Sequence, residues 1–269
     1  MTLPVYLSGG RIQGRSDDAG GTFVSGLGSA ADGTTSGATL VTGHKLGTGC
    51  LNFDGSDDYV SLGTNSGLNL LNGGTIAMWV NTDNITDLRM AGKGSNGAWE
   101  LLSETTNNIL KFRVNDGSVK NAVGSTALSD GTWYHVAGVY DKSAGEIRLY
   151  VNGALEATTT GIGQIATIST AAYLGRNESS TRYDGKLDDV GIWNTILPIG
   201  TDENTAGSVK WLYNTGTGKL ASTIPSGLKA YYNCDSATTN NNAEFTYPNL
   251  TNGAIFEESD TGKHYMFDG

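Results

Sequence analysis

Two groups of aspartates are the side chains of this sequence best suited to hold a metal ion. Asp54, Asp57 and Asp58 lie within one short segment, FDGSDDY, and Asp188 and Asp189 are adjacent in KLDDVGIW. Calcium is bound by about six to eight oxygen ligands, commonly carboxylates and the backbone carbonyls of turns. The same aspartates can instead accept hydrogen bonds from the backbone of their own turn. The sequence therefore predicts either calcium binding or capped turns at these positions.

Carboxylate pairs suited to catalysis are missing from the sequence. Retaining hydrolysis of a glycosidic bond needs two carboxyl groups about 5–5.5 Å apart. Glu100 and Glu104 are separated by Leu-Leu-Ser with no aspartate between them, and the adjacent Glu257 and Glu258 would point to opposite faces of a strand. The three histidines are scattered, and no GxSxG, HExxH, P-loop or CxxC motif occurs. The sequence therefore predicts a chain that is not an enzyme.

Short strands separated by turns must position these side chains. The 39 glycines suit many tight turns, and no long segment has a 3.6-residue apolar period. Asn152-Gly153 is typical of a two-residue hairpin turn, and 205–213 is the one segment that fits a short helix. Alternating or apolar segments that predict strands are 50–54, 59–62, 75–80, 109–114, 133–140, 146–151, 172–175 and 186–193. The fold class is therefore all-β.

The aromatic side chains divide into two groups by their position in these segments. Phe53, Trp79, Phe112, Trp133 and Trp193 fall on apolar strand positions and are predicted to lie in the core. In contrast, the rings of Trp99 and Tyr183 fall in predicted turns, where a ring can contact a ligand.

The charge balance limits the partners. The formal net charge of -10 argues against nucleic acid, because binding it requires Lys and Arg to neutralise phosphates. No run of 18 apolar residues occurs, so no membrane span is predicted. The segment 1–10 has neither the basic nor the apolar region of a signal peptide, so such a peptide is expected to be absent or removed. An extracellular, cell-surface or virion location is expected.

Six segments carry a resemblance to a known family. Together they resemble the laminin-G-like (LamG) branch of the concanavalin A-like lectin/glucanase superfamily. This resemblance implies an antiparallel jelly-roll sandwich of two sheets, often with a structural calcium, and often attached to extracellular or viral proteins. The segments are LNFDGSDDYVSLG (51–63), TIAMWVN (75–81), DGTWYHVAGVYD (130–141), EIRLYVNGALEA (146–157), AAYLGR (171–176) and YDGKLDDVGIWNTIL (183–197).

The resemblance also bears on the metal and on the two cysteines. It makes Asp188, at the last strand, the best single calcium ligand, joined by Asp58 and Asp54. It places the segments that begin near Cys50 and Cys234 close to one another. The sequence is compatible with a disulfide between the two cysteines and with two buried free thiols. It does not give the distance between their Cα atoms, which would decide between these alternatives.

The domain boundaries follow from the order of these segments. The LamG-like domain is expected to span 37–222, preceded by a glycine-rich arm or first strands in 1–36. Residues 223–269 resemble the opening of such a module: GAIF and FDG there repeat GATL and FDG near the start of the domain. These strands either open a second module or return to complete a sheet, and the second alternative is favoured because an incomplete module exposes strand edges.

Three functions are compared. The favoured one is a non-catalytic, lectin-like adhesive module that binds a glycan or cell-surface polysaccharide through loop residues. The alternative is a structural subunit of a virion, tail fibre or filament, a homo-oligomer formed by strand addition through an N-terminal arm. A glycoside hydrolase is disfavoured for want of a carboxylate pair. The predicted carbohydrate-binding residues are Trp99, Arg176, Asn177, Arg182 and Tyr183.

Overall fold

Strands joined by short turns make up most of the computed structural model, and helix is confined to a few short turns. The model describes residues 7–8, 11–12, 22–23, 33–84, 88–94, 97–103, 108–178, 181–224, 226–234, 255–257 and 264–268. The strands are β1 (Leu7–Ser8), β2 (Arg11–Ile12), β3 (Thr22–Phe23), β4 (Gly33–Ser36), β5 (Thr39–Val41), β6 (Cys50–Asp54), β7 (Tyr59–Ser61), β8 (Gly74–Thr82), β9 (Arg89–Lys93), β10 (Trp99–Ser103), β11 (Ile109–Asn115), β12 (Val119–Ala127), β13 (Trp133–Asp141), β14 (Glu146–Val151), β15 (Ala154–Thr160), β16 (Ala172–Leu174), β17 (Asp184–Trp193), β18 (Leu228–Tyr232), β19 (Ile255–Glu257) and β20 (His264–Asp268). The helix α1 is Val209–Tyr213, and 3-10 turns occur at Ser66–Asn69, Asn214–Gly216 and Ala221–Thr223.

Two antiparallel sheets form the sandwich. Sheet I has the order β12-β11-β10-β9-β16-β7-β4-β3. Sheet II has the order β15-β14-β13-β8-β17-β6-β5, and β18 also pairs with β17. The predicted all-β jelly-roll class is confirmed. A smaller group of strands, in the order β19-β20-β1-β2, pairs β20 with β1 in parallel.

The main core lies between the two sheets because alternate residues of each strand face inward. In β11, Leu110, Phe112 and Val114 are buried while the residues between them are partly exposed. In β8, Met78 packs in the same core from sheet II. The predicted turn at Asn152-Gly153 is also present, with φ of 49° and 74°, the left-handed values that this kind of hairpin requires.

The outer face of sheet II is covered by the chain that follows β17. A second apolar cluster contains Val139 and Tyr150 of the sheet together with Leu212 of α1 and Ile224. All nine residues of β8 are buried as a result, since both faces of that strand are covered. Within the described part of the chain, no comparable cluster covers the outer face of sheet I.

A bulge in β17 marks the place where β6 and β18 meet. β6 pairs with β17 from Asp184 to Leu187, and β18 pairs with the same edge from Val190 to Trp193. Between these segments, Asp189 has a φ of 48° and the register with β8 shifts. One long strand is thus flanked on one edge by two short ones that follow each other.

The C-terminal hairpin repeats the register of an earlier hairpin. β5 pairs with β6 through Thr39 and Asn52, and β19 pairs with β20 through Ile255 and Met266. These residues occupy corresponding positions in the repeated GATL/GAIF and FDG segments. The repeat seen in the sequence is therefore also a repeat of strand pairing.

The predicted core aromatics are buried with one exception. Phe53, Trp79, Phe112 and Trp193 are each 1 % exposed or less. Trp133 is only partly buried, and its indole Nε1 donates to the carbonyl of Gly43 at 3.3 Å. In the described residues, no helix has the length and apolar character needed to cross a membrane.

Candidate functional site

A row of mostly polar residues, interrupted by Gly92, crosses the outer face of sheet I, which no second apolar cluster covers in the described part of the chain. Each member lies directly opposite the next on the neighbouring strand, so the row runs across seven strands at right angles to them. With neighbouring strands about 4.8 Å apart, it is about 29 Å long. In order, this transverse row consists of Asn121, Arg113, Glu100, Gly92, Tyr173, Ser61 and Thr34.

Hydrogen bonds fix the first half of the transverse row. Arg113 donates from Nε to Oδ1 of Asn121 at 3.0 Å and from a terminal nitrogen to Oε2 of Glu100 at 3.1 Å. The other carboxylate oxygen, Oε1 of Glu100, accepts from Nδ2 of Asn177 at 2.8 Å. The Glu100 side chain is 1 % exposed, and a buried carboxylate is stable only when its charge is paired and hydrogen-bonded. This network therefore holds its side chains in one arrangement.

Gly92 makes room for this network at the middle of the row. A Cβ atom at that position would lie 3.1 Å from Cγ of Glu100 and 3.7 Å from Cβ of Asn177. The first of these separations is tighter than most real contacts, so a larger residue would push the carboxylate from its partners. Because Gly92 has no side chain, the side chains of Glu100 and Asn177 can approach each other above β9.

An arginine stacked on two tyrosine rings lies beside the second half of the row. The guanidinium carbon of Arg176 is 4.6 Å from the ring centre of Tyr173 and 4.7 Å from that of Tyr59. Its Nε donates to the carbonyl of Asn177 at 2.7 Å. Arg182 pairs with Arg176 through an isolated antiparallel bridge. Burial, and then the charge of Arg176, lower the pKa of Arg182.

Three of the five predicted carbohydrate-binding residues lie at this surface. Arg176 and Arg182 are partly exposed, and Asn177 is buried beneath them as a partner of Glu100. Trp99 and Tyr183 do not lie in exposed turns as predicted. Both are fully buried, which leaves neither ring a face for a sugar.

The two buried rings have structural partners instead. Trp99 begins β10, and its indole Nε1 donates to the carbonyl of Leu68 at 2.7 Å. The hydroxyl of Tyr183 lies 2.9 Å from the carbonyl oxygen of Asn81, to which it donates, and its ring meets that of Phe53 edge to face. Both residues therefore help to position strands of the sandwich.

Sequence reasoning missed Arg113, Asn121, Tyr59 and Tyr173. The signal was present in part, because strand alternation places Arg113 on the face opposite the apolar Phe112. The local sequence does not indicate on which sheet the segment after β17 packs. It therefore does not indicate which outer sheet face that segment covers.

Two of the three predicted metal ligands, Asp54 and Asp58, lie close together, and Asp57 joins them. Asp54, Asp57 and Asp58 each offer a carboxylate oxygen, and these oxygens lie within 4.8 Å of one another. Burial raises the pKa of Asp58, a hydrogen bond from the amide of Asp54 opposes this, and the charges of Asp54 and Asp57 raise it further. A divalent cation would relieve this crowding of acids, so the group fits calcium. The predicted alternative is present too, since Oδ1 of Asp54 accepts from the amide of Ser56 at 2.8 Å.

Asp188 is not brought together with this group. Asp54 lies opposite Asp184 in the sheet, and Asp188 is four residues farther along β17, about 13 Å at the rise of a strand. Its Oδ2 accepts hydrogen bonds from the amides of Lys45 and Leu46, each at 2.8 Å. Asp188 therefore holds the loop between β5 and β6.

The two cysteines are free thiols in the structure, and both are buried. Cys234 packs in the core between the two sheets. Cys50 is not part of that core, and its thiol donates a hydrogen bond to the carbonyl oxygen of Val41. Burial raises the pKa of Cys50 to about 12 and that of Cys234 well above its usual value. Of the two alternatives open from the sequence, the structure has the free thiols.

The structure describes only one member of each glutamate pair considered in the sequence. Glu100 is bound by Arg113 and Asn177, while Glu104 and Glu258 lie outside the described residues.

The family is shown by the sequence. The chain belongs to the concanavalin A-like lectin/glucanase superfamily, whose laminin-G-type model matches residues 54–198. No curated protein sequence matches the chain.

Solved structures share this fold at low sequence identity. One is domain 4 of AbnA, an extracellular arabinanase from Geobacillus stearothermophilus, in complex with arabinotriose; it has 16% identity, a TM-score of 0.54, and coverage of 71% of this chain and 93% of that one. The binding domain of Paraclostridial Mosquitocidal Protein 1 has 15% identity and a TM-score of 0.55, covering 72% and 52%. The receptor binding domain of botulinum neurotoxin mosaic serotype C/D has 14% identity and a TM-score of 0.52, covering 68% and 46%. These likenesses concern the fold.

Proposed function

We propose that this chain is a non-catalytic carbohydrate-binding module that holds an extended glycan along the transverse row. The observation that carries the proposal is the polar network from Asn121 through Arg113 to Glu100 on the outer face of sheet I. Sugars offer rows of hydroxyl groups that both donate and accept hydrogen bonds. The partly exposed amide of Asn121 and guanidinium of Arg113 match such a ligand. They lose little entropy on binding because the buried carboxylate of Glu100 already holds the guanidinium, which in turn holds the amide.

The tyrosines support the same function. Tyr59 and Tyr173 are partly exposed, and a ring with an apolar face and a polar edge packs well against a sugar. Domain 4 of the arabinanase, which shares the fold, has been solved in complex with arabinotriose, and this agrees with glycan binding by a sandwich of this type.

The test is binding of the intact chain to an arrayed panel of plant, bacterial and animal glycans, followed by calorimetry on the hits. The variants are Asn121→Ala and Tyr173→Ala. The matched control is Lys142→Ala, an exposed side chain in the turn between β13 and β14. We expect the row variants to weaken a hit by about tenfold, the value of one or two lost hydrogen bonds or stacking contacts, while the control binds as the parent does. The proposal fails if no glycan binds, or if the row variants bind every hit unchanged.

We further propose that Asp54, Asp57 and Asp58 hold a structural calcium ion at the turn before β7. The ion would stabilise the segment that leads into Tyr59. Its support is the convergence of three carboxylates, one of them only 6 % exposed.

A further inference from the structure

We infer that the hairpin β19–β20 is a docking element, and that its acceptor is the β17 edge in a second copy of this sandwich. In the sandwich described above, the hairpin β5–β6 fills that edge. The edge belongs to sheet II and is separate from the outer face of sheet I, on which glycan binding is proposed.

The β17 edge accepts β6 through a ring and a turn that both need close approach. Phe53 is 1 % exposed, and a Cβ atom on Gly175 would overlap its ring. The ring also meets that of Tyr183 edge to face, with 5.8 Å between their centres. A Cβ atom on Gly55 would lie only 2.9 Å from Cβ of Asp184. The phenylalanine and the glycine of Phe-Asp-Gly are therefore the residues that this edge requires.

The second hairpin carries the same residues in the same register. Phe-Asp-Gly recurs at 267–269, with its phenylalanine and aspartate at the end of β20, as in β6. Thr39 pairs with Asn52 in the first hairpin and Ile255 with Met266 in the second, directly before the phenylalanine in each case. A slip of one residue would exchange the two faces of the strand, so the shared register gives both phenylalanines equivalent positions. The sequence that the β17 edge requires is thus present twice.

A short ladder holds the edge of β20 that corresponds to the docking edge of β6. β6 lies between β5 and β17, and β20 lies between β19 and β1. β6 pairs antiparallel with β17 from Asp184 to Leu187, whereas β20 pairs in parallel with β1 only at Leu7 and Ser8. Parallel pairing is slightly less stable per residue. The β17 edge of a second copy offers β20 a longer ladder than β1 does, and adding a strand to a sheet edge is a common mode of association.

The acceptor is assigned to a second copy because the edge in the described sandwich is filled. β6 pairs with β17 from Asp184 to Leu187, and β18 pairs with the same edge from Val190 to Trp193. The opposite edge of β17 pairs with β8. The hairpin β19–β20 therefore docks where a first hairpin has left its edge.

Cysteine trapping between two full-length chains tests the docking. The donor carries Met266→Cys. The acceptor carries Lys186→Cys, together with Phe53→Ala and Phe267→Ala to weaken both of its own hairpins. Asn52 lies opposite Lys186, and Met266 is the counterpart of Asn52, so docking brings the two new Cβ atoms within about 5 Å. The chains are mixed with oxidised glutathione, and linked dimers are measured on non-reducing gels with a mass tag on the acceptor.

We expect a dimer of donor and acceptor. Its yield should fall at least about tenfold when the donor also carries Phe267→Ala, because removing a phenylalanine that becomes buried weakens docking by that much or more. The matched control is an acceptor that keeps Phe53, which should form at least about tenfold less dimer because its own β6 fills the edge. Chains without the new cysteines show the background from Cys50 and Cys234.

Thermal unfolding of the acceptor, alone and with the donor, covers the case in which the acceptor does not fold by itself. The donor is then expected to restore an unfolding transition, since binding to the folded state stabilises it. The inference is overturned if the donor neither forms the dimer nor restores the transition, or if the Phe267→Ala donor acts equally well. A link that forms only when both cysteines are in one chain assigns the hairpin to its own sandwich, and this also overturns the inference.

Discussion

The buried hydroxyl of Tyr231 donates a hydrogen bond to the carboxylate of Asp189, 2.9 Å away, and so joins β18 to the bulge of β17. The same carboxylate also accepts from the amide of Ala221 at 2.9 Å. Burial and then the charge of Asp189 raise the pKa of Tyr231 well above its usual value, so the hydroxyl remains protonated. A single side chain thus ties the bulge to two segments that are distant in sequence.

Tyr231→Phe is expected to lower the free energy of unfolding by about 1.5–3 kcal/mol, because it removes a donor from a buried charged acceptor. Urea denaturation measures the change. Tyr134→Phe is the control, since its hydroxyl makes no hydrogen bond among the described residues. Equal effects of the two substitutions would show that the contact with Asp189 contributes nothing specific.

The place of residues 228–234 in the sandwich is tested by truncation. A chain that ends at Thr223 loses β18 and the buried side chains of Leu228 and Tyr232. We expect its unfolding free energy to fall by at least about 3 kcal/mol, since removing even one large core side chain has this effect. A chain that ends at Cys234 keeps β18 and is the matched control. If both truncated chains unfold at the same urea concentration, β18 does not belong to this sandwich.

Strand patterns in the sequence were sufficient for the fold class. Alternation placed Phe112 inside, and Asn152-Gly153 marked its hairpin because only left-handed φ values fit that turn. The repeat of GATL and FDG by GAIF and FDG is visible in the sequence, and the structure adds that both copies pair in the same register.

The candidate site was less accessible to sequence reasoning. Trp99 follows a glycine-rich turn, and nothing local says that pairing with Lys93 turns its ring inward. The segment after β17 packs on the outer face of sheet II rather than on that of sheet I. Both properties depend on contacts between segments that are far apart in the sequence.

His135 is expected to make the protein sensitive to acid. Its Nδ1 is buried and has no hydrogen-bond partner among the described residues, its ring packs against Trp79, and burial lowers its pKa from 6.5 to about 3. Because the folded pKa is below the unfolded one, protonation favours the unfolded chain. The stability contribution of the neutral ring is complete above pH 6.5 and is lost as the pH falls toward 3, by about 1.4 kcal/mol per pH unit.

The measurement is urea denaturation of the parent chain and of His135→Phe and His135→Gln between pH 8 and pH 4. We expect the difference in unfolding free energy between parent and variant to change over the acid range and to be constant above about pH 7. Parallel curves for all three chains would mean that His135 is protonated in the folded state without penalty.

Calcium binding by the aspartate group predicts a gain in stability that depends on Asp57. A ligand that binds only the folded chain stabilises it, by about 1.4 kcal/mol at ten times its dissociation constant. For a sandwich of this size the midpoint of thermal unfolding then rises by a few degrees, about 2–4 °C per kcal/mol. Thermal unfolding in calcium and in EDTA measures the shift. Asp57 is exposed, so Asp57→Asn is expected to remove the shift and leave the midpoint in EDTA unchanged.

Asp188→Asn separates this site from the one that the family resemblance favoured. Asp188 binds the amides of Lys45 and Leu46, so the substitution should lower the midpoint in EDTA. We expect the calcium shift to persist in this variant, since Asp188 lies about 13 Å along β17 from the position opposite Asp54. A shift lost in Asp188→Asn and kept in Asp57→Asn would instead place the ion at Asp188. If calcium moves no midpoint, the three aspartates serve as caps of their own turn.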